Sequence, residues 1–237
     1  MATHAVHHRA DVRAGVDLLR SHWAWLPGGI VLAFAVPYVL ADLIEINRDL
    51  YYGIYALFTV SLFVAWARAT GYDLRSALRR HLVWAIGLGA AFGAVLVVMV
   101  LRTEEATARP DGLELLGAVA WRGIVYGLAD GLLLSAFPIL IVFAAMAATR
   151  LNEHLRGKLV IGALALLASI VMTAAYHAGY SDFRSEKITK PVSGDVIWSV
   201  PTLVTLNPIG APIAHAGLHT GAVLHSYETE TFLPPHR

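Results

Sequence analysis

Cysteine is absent from this sequence, and charged residues are scarce. Without cysteine the chain has no disulfides, no thiolate metal site and no cysteine nucleophile. Charged residues make up 15% of the 237 positions and hydrophobic residues 57%, whereas a typical soluble domain has about a quarter charged residues. The formal net charge is only +1, so no broad basic field indicates a nucleic-acid partner. The composition predicts a protein whose surroundings are a lipid bilayer.

Hydrophobic residues gather into blocks of about 20 residues, the length that an α-helix needs to cross the hydrocarbon core. Six spans are expected, at 26–43, 50–67, 82–101, 117–148, 159–179 and 196–226. The loops are short and no low-complexity linker divides the chain, so residues 1–237 are expected to form a single transmembrane domain. The sequence therefore predicts an all-α, polytopic membrane helix bundle of about six transmembrane helices.

The fourth and sixth expected spans are too long for one straight crossing, and both contain proline. These prolines are Pro138 in the fourth span and Pro201, Pro208 and Pro212 in the sixth. Proline removes a backbone donor and disrupts the preceding helical turn, so both spans are expected to be kinked or broken. In the sixth span the break is expected at Asn207-Pro208, with a new helix beginning near Ile209 on the outer side.

Loop charges alternate along the chain in the way that sets membrane topology. Basic residues cluster before the first span, between the second and third, and between the fourth and fifth: Arg9, Arg13, Arg20, Arg68, Arg75, Arg79, Arg80, Arg150, Arg156 and Lys158. The other loops are more acidic, and by the positive-inside rule the basic loops face the cytoplasm. Segments 1–25 and 227–237 are therefore both expected to be cytoplasmic in a multi-pass protein of the cell membrane.

Aromatic residues near the span ends are expected to form belts at the two membrane surfaces. The outer belt would contain Tyr51, Tyr52, Trp121, Tyr176, Tyr180 and Trp198. This placement agrees with the orientation that the basic loops indicate.

Two charged residues lie inside the fourth expected span, where each costs several kcal/mol if it is left unpaired. Arg122, Tyr126 and Asp130 stand four residues apart, so they form one stripe on a helix face. A parallel strip of glycines runs beside it: Gly123, Gly127 and Gly131. Such a strip lets another helix approach closely. The polar stripe is therefore expected to face protein or a water-filled cavity.

Histidines supply the remaining polar signal. In the fifth span His177 follows Ser169 and Thr173 at the same four-residue spacing. In the sixth span His215 and His219 lie one helical turn apart, which lets two imidazoles reach one metal ion or one substrate. No glutamate directly follows His215, so this helix does not carry the His-Glu-x-x-His motif of zinc hydrolases.

The helical rise places these groups at comparable depths. At about 1.5 Å per residue, His219 and Asp130 each lie about 15 Å from the start of their helices. Asp130, His177, His215 and His219 are therefore predicted to surround one outward-opening cavity and to bind a divalent metal such as zinc. Haem held between histidines of adjacent spans is the alternative cofactor.

Two short motifs resemble those of the CAAX-protease and bacteriocin-processing (Abi) family of intramembrane proteases. The run "GAPIAHAGLH" resembles the family's last motif, in which small residues lead into His-x-x-x-Asn; here His219 replaces the asparagine. Glu104 and Glu105, followed by Arg109, spell the first motif, Glu-Glu-x-x-x-Arg. The resemblance implies peptide hydrolysis within the bilayer, with a glutamate activating water and His215 completing the site.

The whole chain also resembles small bacterial multi-pass membrane proteins that end in a Leu-Pro-Pro-His tail, here at 233–236. This second resemblance implies a membrane location and no particular activity.

Three functions fit these observations. The first is a membrane-embedded hydrolase, best described as a protease of membrane peptides, in which a metal or a carboxylate activates water. Its candidate catalytic residues are Asp130, His215, His219, Arg122, Glu104 and Glu105. The second is a metal- or haem-binding protein, transporter or proton relay without hydrolytic activity. In the third, the polar residues only hold the helices together.

Overall fold

The computed structural model describes residues 21–228 and 232–234. Within these residues the chain forms helices and no strand, and five helices are long and apolar enough to cross a membrane. They are α1 (Ser21–Leu43), α2 (Arg48–Thr70), α4 (Leu82–Thr103), α5 (Gly112–Met146) and α6 (Leu155–Ala178). The short helix α3 (Leu74–Arg79) connects α2 to α4. The prediction of an all-α polytopic membrane helix bundle is confirmed.

The outward faces of the long helices carry large apolar side chains. Examples are Leu57, Val83, Val95, Leu159 and Leu167, all exposed in the isolated chain. A surface of this kind is stable against lipid tails and unstable against water. The bundle is therefore an integral membrane protein, as the composition predicts.

The last expected span, 196–226, is a hairpin of helices instead of one crossing. Helices α7 (Thr189–Trp198) and α8 (Val200–Thr205) lead into a turn, and α9 (Gly210–His225) follows it. Leu206 ends α8 in the left-handed conformation, with φ of 52°. The segment is broken, as its prolines predict, but the break reverses the chain.

Two sets of contacts fix the direction of α9. Asn207, in the turn before α9, is fully buried and donates from its side-chain amide to the carbonyls of Leu78 and Arg80 at 3.0 and 2.7 Å. At the other end of the helix, Nε2 of His225 lies 3.1 Å from the carbonyl of Glu104, just beyond α4. Helix α9 therefore starts on the face that carries the basic α2–α4 connection, opposite to the predicted outer start.

These contacts also disagree with the prediction that 1–25 and 227–237 share the cytoplasmic face. His22, near the start of α1, accepts a hydrogen bond of 3.2 Å from Nε1 of Trp66, near the end of α2. His225 lies on the other face, beside Glu104. Because α7–α8 and α9 run in opposite directions, the described chain begins near one end of the bundle and reaches His225 near the other. Residues 1–20 of the predicted cytoplasmic segment lie outside the described part.

Glycine strips let α9 pack at backbone contact between α4 and α5. A Cβ atom added at Gly127 of α5 would lie 2.7 Å from Cα of Ala216, and Gly131 is equally crowded. On the other side of α9, a Cβ atom added at Gly217 would lie 2.8 Å from Cα of Gly93 in α4. Carbon atoms ordinarily keep about 3.5–4.0 Å apart. The close helix approach that the glycine spacing predicts is confirmed, and it fixes the position of α9.

Helix α5 is irregular on both sides of its central turn. π-Helical segments at Val119–Val125 and Leu132–Ala136 flank the α-helical segment Tyr126–Gly131, which contains Asp130. Single π-turns are frequent at functional sites because they change the direction of the side chains that follow. The fourth span is irregular but continuous from Gly112 to Met146, with Pro138 shortly after the second π-helical segment, and the kink or break expected there stays a prediction.

Most of the predicted outer aromatic belt lies in the core instead. Tyr51, Tyr52, Tyr176, Tyr180 and Trp198 are all buried, whereas Trp121 is partly exposed at the surface. Proximity to a helix end suggested a belt, but the helix faces that carry these rings point into the bundle. The corrected location brings five aromatic side chains close to the polar residues of the interior.

Candidate metal centre

Asp130 of α5 meets His215 and His219 of α9 in the interior of the bundle. Oδ2 of Asp130 lies 3.2 Å from Nε2 of His219 and 3.7 Å from Nε2 of His215. The two imidazole planes are nearly parallel, with ring centroids 5.4 Å apart. All three residues are buried, and one ligand atom from each lies within 4.8 Å of the others. This buried Asp/His/His group could hold one metal ion.

Two of these residues, Asp130 and His219, also make hydrogen bonds through the side-chain atoms that face away from the group. The hydroxyl of Tyr55 donates to Oδ1 of Asp130 at 2.7 Å, and Nδ1 of His219 lies 2.6 Å from the carbonyl of Phe232. A carbonyl only accepts, so Nδ1 carries the hydrogen, and Nε2 of neutral His219 presents a lone pair to Asp130. Two acceptors then face each other, and a cation or a proton between them would stabilise the arrangement.

His177 of α6 is hydrogen-bonded to a backbone carbonyl in the same way as His219. Its Nδ1 lies 2.8 Å from the carbonyl of Thr173, so Nε2 is again the nitrogen with the free lone pair. The ring is buried and lines the same cavity as the Asp/His/His group. It is not among the three residues whose ligand atoms lie within 4.8 Å of one another. His177 is thus positioned as an additional ligand or as a contact for a bound molecule.

His215 differs from the other two histidines. Its Nδ1 is buried and has no hydrogen-bond partner among the described residues. Trp198 of α7 covers the ring, with centroids 4.2 Å apart. The Trp198 indole in turn donates to Asp195 at 2.8 Å. Packing, and not a hydrogen bond, therefore orients His215.

A cavity of about 220 Å³ extends from the Asp/His/His group towards the face of the bundle near Glu104. Its inner end is formed by Tyr126, Asp130, His177, His215 and His219. Met99, Ile197 and Leu218 form apolar walls, and Thr103 and Lys190 lie towards the mouth. A water molecule occupies about 30 Å³ of the liquid, so the cavity has room for several waters or a small ligand group.

The C-terminal segment covers part of this cavity. Phe232 and Pro234 line it, and Phe232 supplies the carbonyl that accepts from His219. Leu233 between them is fully buried. The C-terminal tail therefore contributes directly to the site, although the sequence distinguishes this tail only by its Leu-Pro-Pro-His ending.

Arg122 does not lie beside Asp130. Its guanidinium binds the carboxylate of Asp49 through two hydrogen bonds of 2.8 and 2.7 Å and donates to the hydroxyl of Tyr227 at 2.7 Å. Arg122 itself belongs to the π-helical segment Val119–Val125, whereas Tyr126 and Asp130 lie in the α-helical segment that follows, so the four-residue register is not kept. Arg122 joins α5 to the start of α2 near the surface.

The two glutamates of the Abi-like motif lie beyond the end of α4. The carboxylate of Glu104 pairs with Nζ of Lys190 at 3.2 Å, and Glu105 is exposed. Arg109 of the same motif donates to the carbonyl of Leu224. Neither glutamate lines the cavity. The structure thus brings Asp130, His177, His215 and His219 together and leaves Arg122, Glu104 and Glu105 outside this group.

A network of tyrosine hydroxyls lies beside Asp130, and the sequence analysis did not predict this network. Hydrogen bonds of 2.7 to 3.1 Å join the hydroxyls of Tyr51, Tyr176 and Tyr180 into a ring, and Tyr126 binds Tyr176 at 2.9 Å. Each hydroxyl has one hydrogen, so the four bonds use all four donors. The signal was present in the sequence, since Tyr51 and Tyr55, like Tyr176 and Tyr180, are one helical turn apart.

Comparisons of this chain with protein-family models, with curated proteins and with solved structures find no match. Fold and site together define the class: an all-α, multi-pass membrane protein with a buried Asp/His/His group that could bind a metal ion.

Proposed function

We propose that this protein is a membrane-embedded hydrolase that binds a divalent metal ion such as zinc through Asp130, His215 and His219. The orientation of the imidazoles carries the proposal. His219 and His177 each donate Nδ1–H to a backbone carbonyl, which leaves the Nε2 lone pairs free. Metal-binding histidines almost always donate their other N–H to a carbonyl, a carboxylate or water.

The ligand set supports a catalytic site over a closed structural site. Catalytic zinc ions commonly have three protein ligands, such as two histidines and a carboxylate, and keep a position for water or substrate. Here the cavity of about 220 Å³ adjoins the three ligands and provides that position. A metal held there would supply a nucleophilic water near neutral pH.

The surrounding residues have distinct roles in this proposal. Tyr55 orients Asp130 by donating to its second oxygen, and the Phe232 carbonyl orients His219. His177 either completes the ligand set or accepts a proton from the attacking water. Arg122 stabilises the bundle through Asp49 and takes no part in the reaction.

The proposed substrate is an extended peptide segment or another narrow amphiphilic molecule. The cavity has apolar walls, and Lys190 and Thr103 lie towards its mouth. An extended or amphiphilic chain could place its polar end at the mouth and its apolar part along these walls.

Haem fits this site less well than a single metal ion. His215 and His219 lie on the same face of α9 with stacked rings, so this pair cannot bind iron from opposite sides, and a haem would need His177 of α6 as its second ligand. The cavity is also smaller than the 300–1,000 Å³ that is usual for pockets of drug-sized ligands, which are themselves smaller than haem.

Metal analysis of purified protein tests the proposal. Wild-type protein should contain about one equivalent of a divalent metal, and His215→Ala and His219→Ala should lose it. His225→Ala is the matched control, since it changes a histidine of the same helix that contacts the Glu104 carbonyl. Full metal content in the His219→Ala protein would refute the site.

Hydrolysis is tested separately on the same samples. Cleavage of membrane peptides should disappear with a chelator and return with zinc. A stoichiometric metal without metal-dependent cleavage would favour the second candidate, a metal-binding or transport protein.

A further inference from the structure

A second buried polar cluster lies around Asp195 of α7, directly before the expected span 196–226. Asp195 is fully buried. Its Oδ1 atom lies 2.8 to 3.3 Å from the donor atoms of five side chains: Ser135, Ser169, Thr173, Trp198 and Ser199. Hydrogen bonds donated to a carboxylate favour its ionised form, whereas burial opposes it. An ionised Asp195 would be a negative charge inside the membrane bundle.

The second oxygen of this carboxylate, Oδ2, is buried and has no hydrogen-bond partner among the described residues. No basic side chain appears among the contacts of Asp195, whose described partners are four hydroxyls and an indole. An ionised carboxylate in a membrane interior is costly unless a cation compensates it. Oδ2 is therefore the position at which a cation would be stabilised.

The cluster also lies where two helices are interrupted. Ser135 belongs to the π-helical segment Leu132–Ala136 of α5, and Ser199 lies between α7 and α8. The carbonyl of Leu134 is turned towards the cluster, because its oxygen lies 2.9 Å from the hydroxyl oxygen of Ser169. In membrane transport proteins, interrupted helices release backbone carbonyls and commonly bind sodium ions.

We propose that Asp195 and the hydroxyls of Ser135, Ser169, Thr173 and Ser199 bind a sodium ion. The available ligands are almost all oxygen atoms, which hard cations prefer, whereas the Asp/His/His group offers imidazole nitrogens. One carboxylate neutralises one monovalent charge, and a divalent ion would leave a net positive charge in the bundle. The two sites thus differ in both ligand type and charge.

The sodium site is joined to the candidate metal centre by two contacts. Thr173 donates its hydroxyl to Asp195 and accepts from His177 through its carbonyl. Trp198 donates to Asp195 and packs on His215. Sodium binding would hold these residues in place, although the sodium proposal itself does not depend on hydrolytic activity.

Thermal unfolding in detergent tests the site, with NaCl exchanged for KCl or choline chloride at constant ionic strength. The midpoint of wild-type unfolding should rise with NaCl and saturate, because a ligand that binds only the folded state stabilises it. Asp195→Asn should remove this response. Ser199→Ala, which removes one ligand, should raise the half-saturating sodium concentration about tenfold.

Asp73→Asn is the control, because Asp73 caps α3 at an exposed position outside the cluster. It should keep the full sodium response. If Asp195→Asn does not fold, the titrations of Ser199→Ala and Thr173→Val decide instead.

Three outcomes would overturn the proposal. Equal shifts of the wild-type midpoint with all three salts would mean that nothing selects sodium. An unchanged half-saturating concentration in both Ser199→Ala and Thr173→Val would place the ion elsewhere. A wild-type midpoint that responds to pH and not to sodium would mean that Asp195 binds a proton. Metal content measured on the same samples distinguishes these results from a failure of the metal centre.

Discussion

Gly127→Ala should weaken both the bundle and its metal centre, although alanine is the better helix former. In a helix interior, alanine is favoured over glycine by about 0.5–1 kcal/mol. At Gly127, however, the new Cβ would lie 2.7 Å from Cα of Ala216, a backbone atom that cannot rotate away. Restoring an ordinary carbon contact of about 3.5–4.0 Å requires α9 to move by about 1 Å.

Two measurable effects are expected from this displacement, one on stability and one on zinc affinity. Overpacking of this kind costs about 1–3 kcal/mol, so the net free energy of unfolding should fall by about 1–2 kcal/mol. Because Ala216 follows His215 directly, a shift of α9 by about 1 Å also lengthens the 3.2 Å separation of His219 and Asp130. Unfolding in mixed detergent micelles gives the first quantity, and zinc titration gives the second.

Gly162→Ala is the matched control, since a Cβ atom at this helical glycine meets nothing within 4 Å. It should raise the stability by about 0.5–1 kcal/mol and leave zinc affinity unchanged. Equal effects of the two substitutions would refute the backbone contact between α5 and α9.

Three further substitutions test separate parts of the structure. Tyr55→Phe removes the hydrogen bond to Asp130 and should lower zinc affinity about 10- to 100-fold in competition titrations; Tyr52→Phe, which removes a buried hydroxyl with no hydrogen-bond partner in the described part of the chain, should not. Asn207→Ala leaves two carbonyls without their donor and should cost about 2–4 kcal/mol in detergent unfolding; a loss below 0.5 kcal/mol would contradict the described turn. Arg122→Gln should lower the free energy of unfolding by about 1 kcal/mol or less, because Asp49 is partly exposed, and should leave the zinc content unchanged. Loss of zinc in this variant would mean that Arg122 belongs to the site.

Periodicity in the sequence predicts the parts of the site that lie on regular helices. The four-residue spacing of His215 and His219, and of the glycines of α5, requires only that the local structure be α-helical. Both predictions are confirmed by the packing of α9 against α5. Asp130 is placed correctly because it belongs to an α-helical segment with Tyr126.

The sequence could not predict features that depend on how helices are interrupted or which face is buried. Arg122 leaves the expected stripe because a π-helical segment breaks the register. The polar residues at the start of α7 fall outside the expected span 196–226, so Asp195 was not among the candidate site residues. The tyrosines of the core resembled a surface belt because distance along the chain does not identify the inward face.

X-ray absorption at the zinc edge, on protein loaded with one equivalent of zinc, examines the proposed ligands themselves. If Asp130, His215 and His219 bind the ion, we expect nitrogen and oxygen neighbours at about 2.0–2.2 Å, with outer-sphere scattering from two or three imidazoles. In the His219→Ala protein one imidazole contribution should be lost, while His225→Ala should match the wild type. A zinc spectrum without imidazole scattering, or one that His219→Ala leaves unchanged, would contradict a metal centre formed by Asp130, His215 and His219.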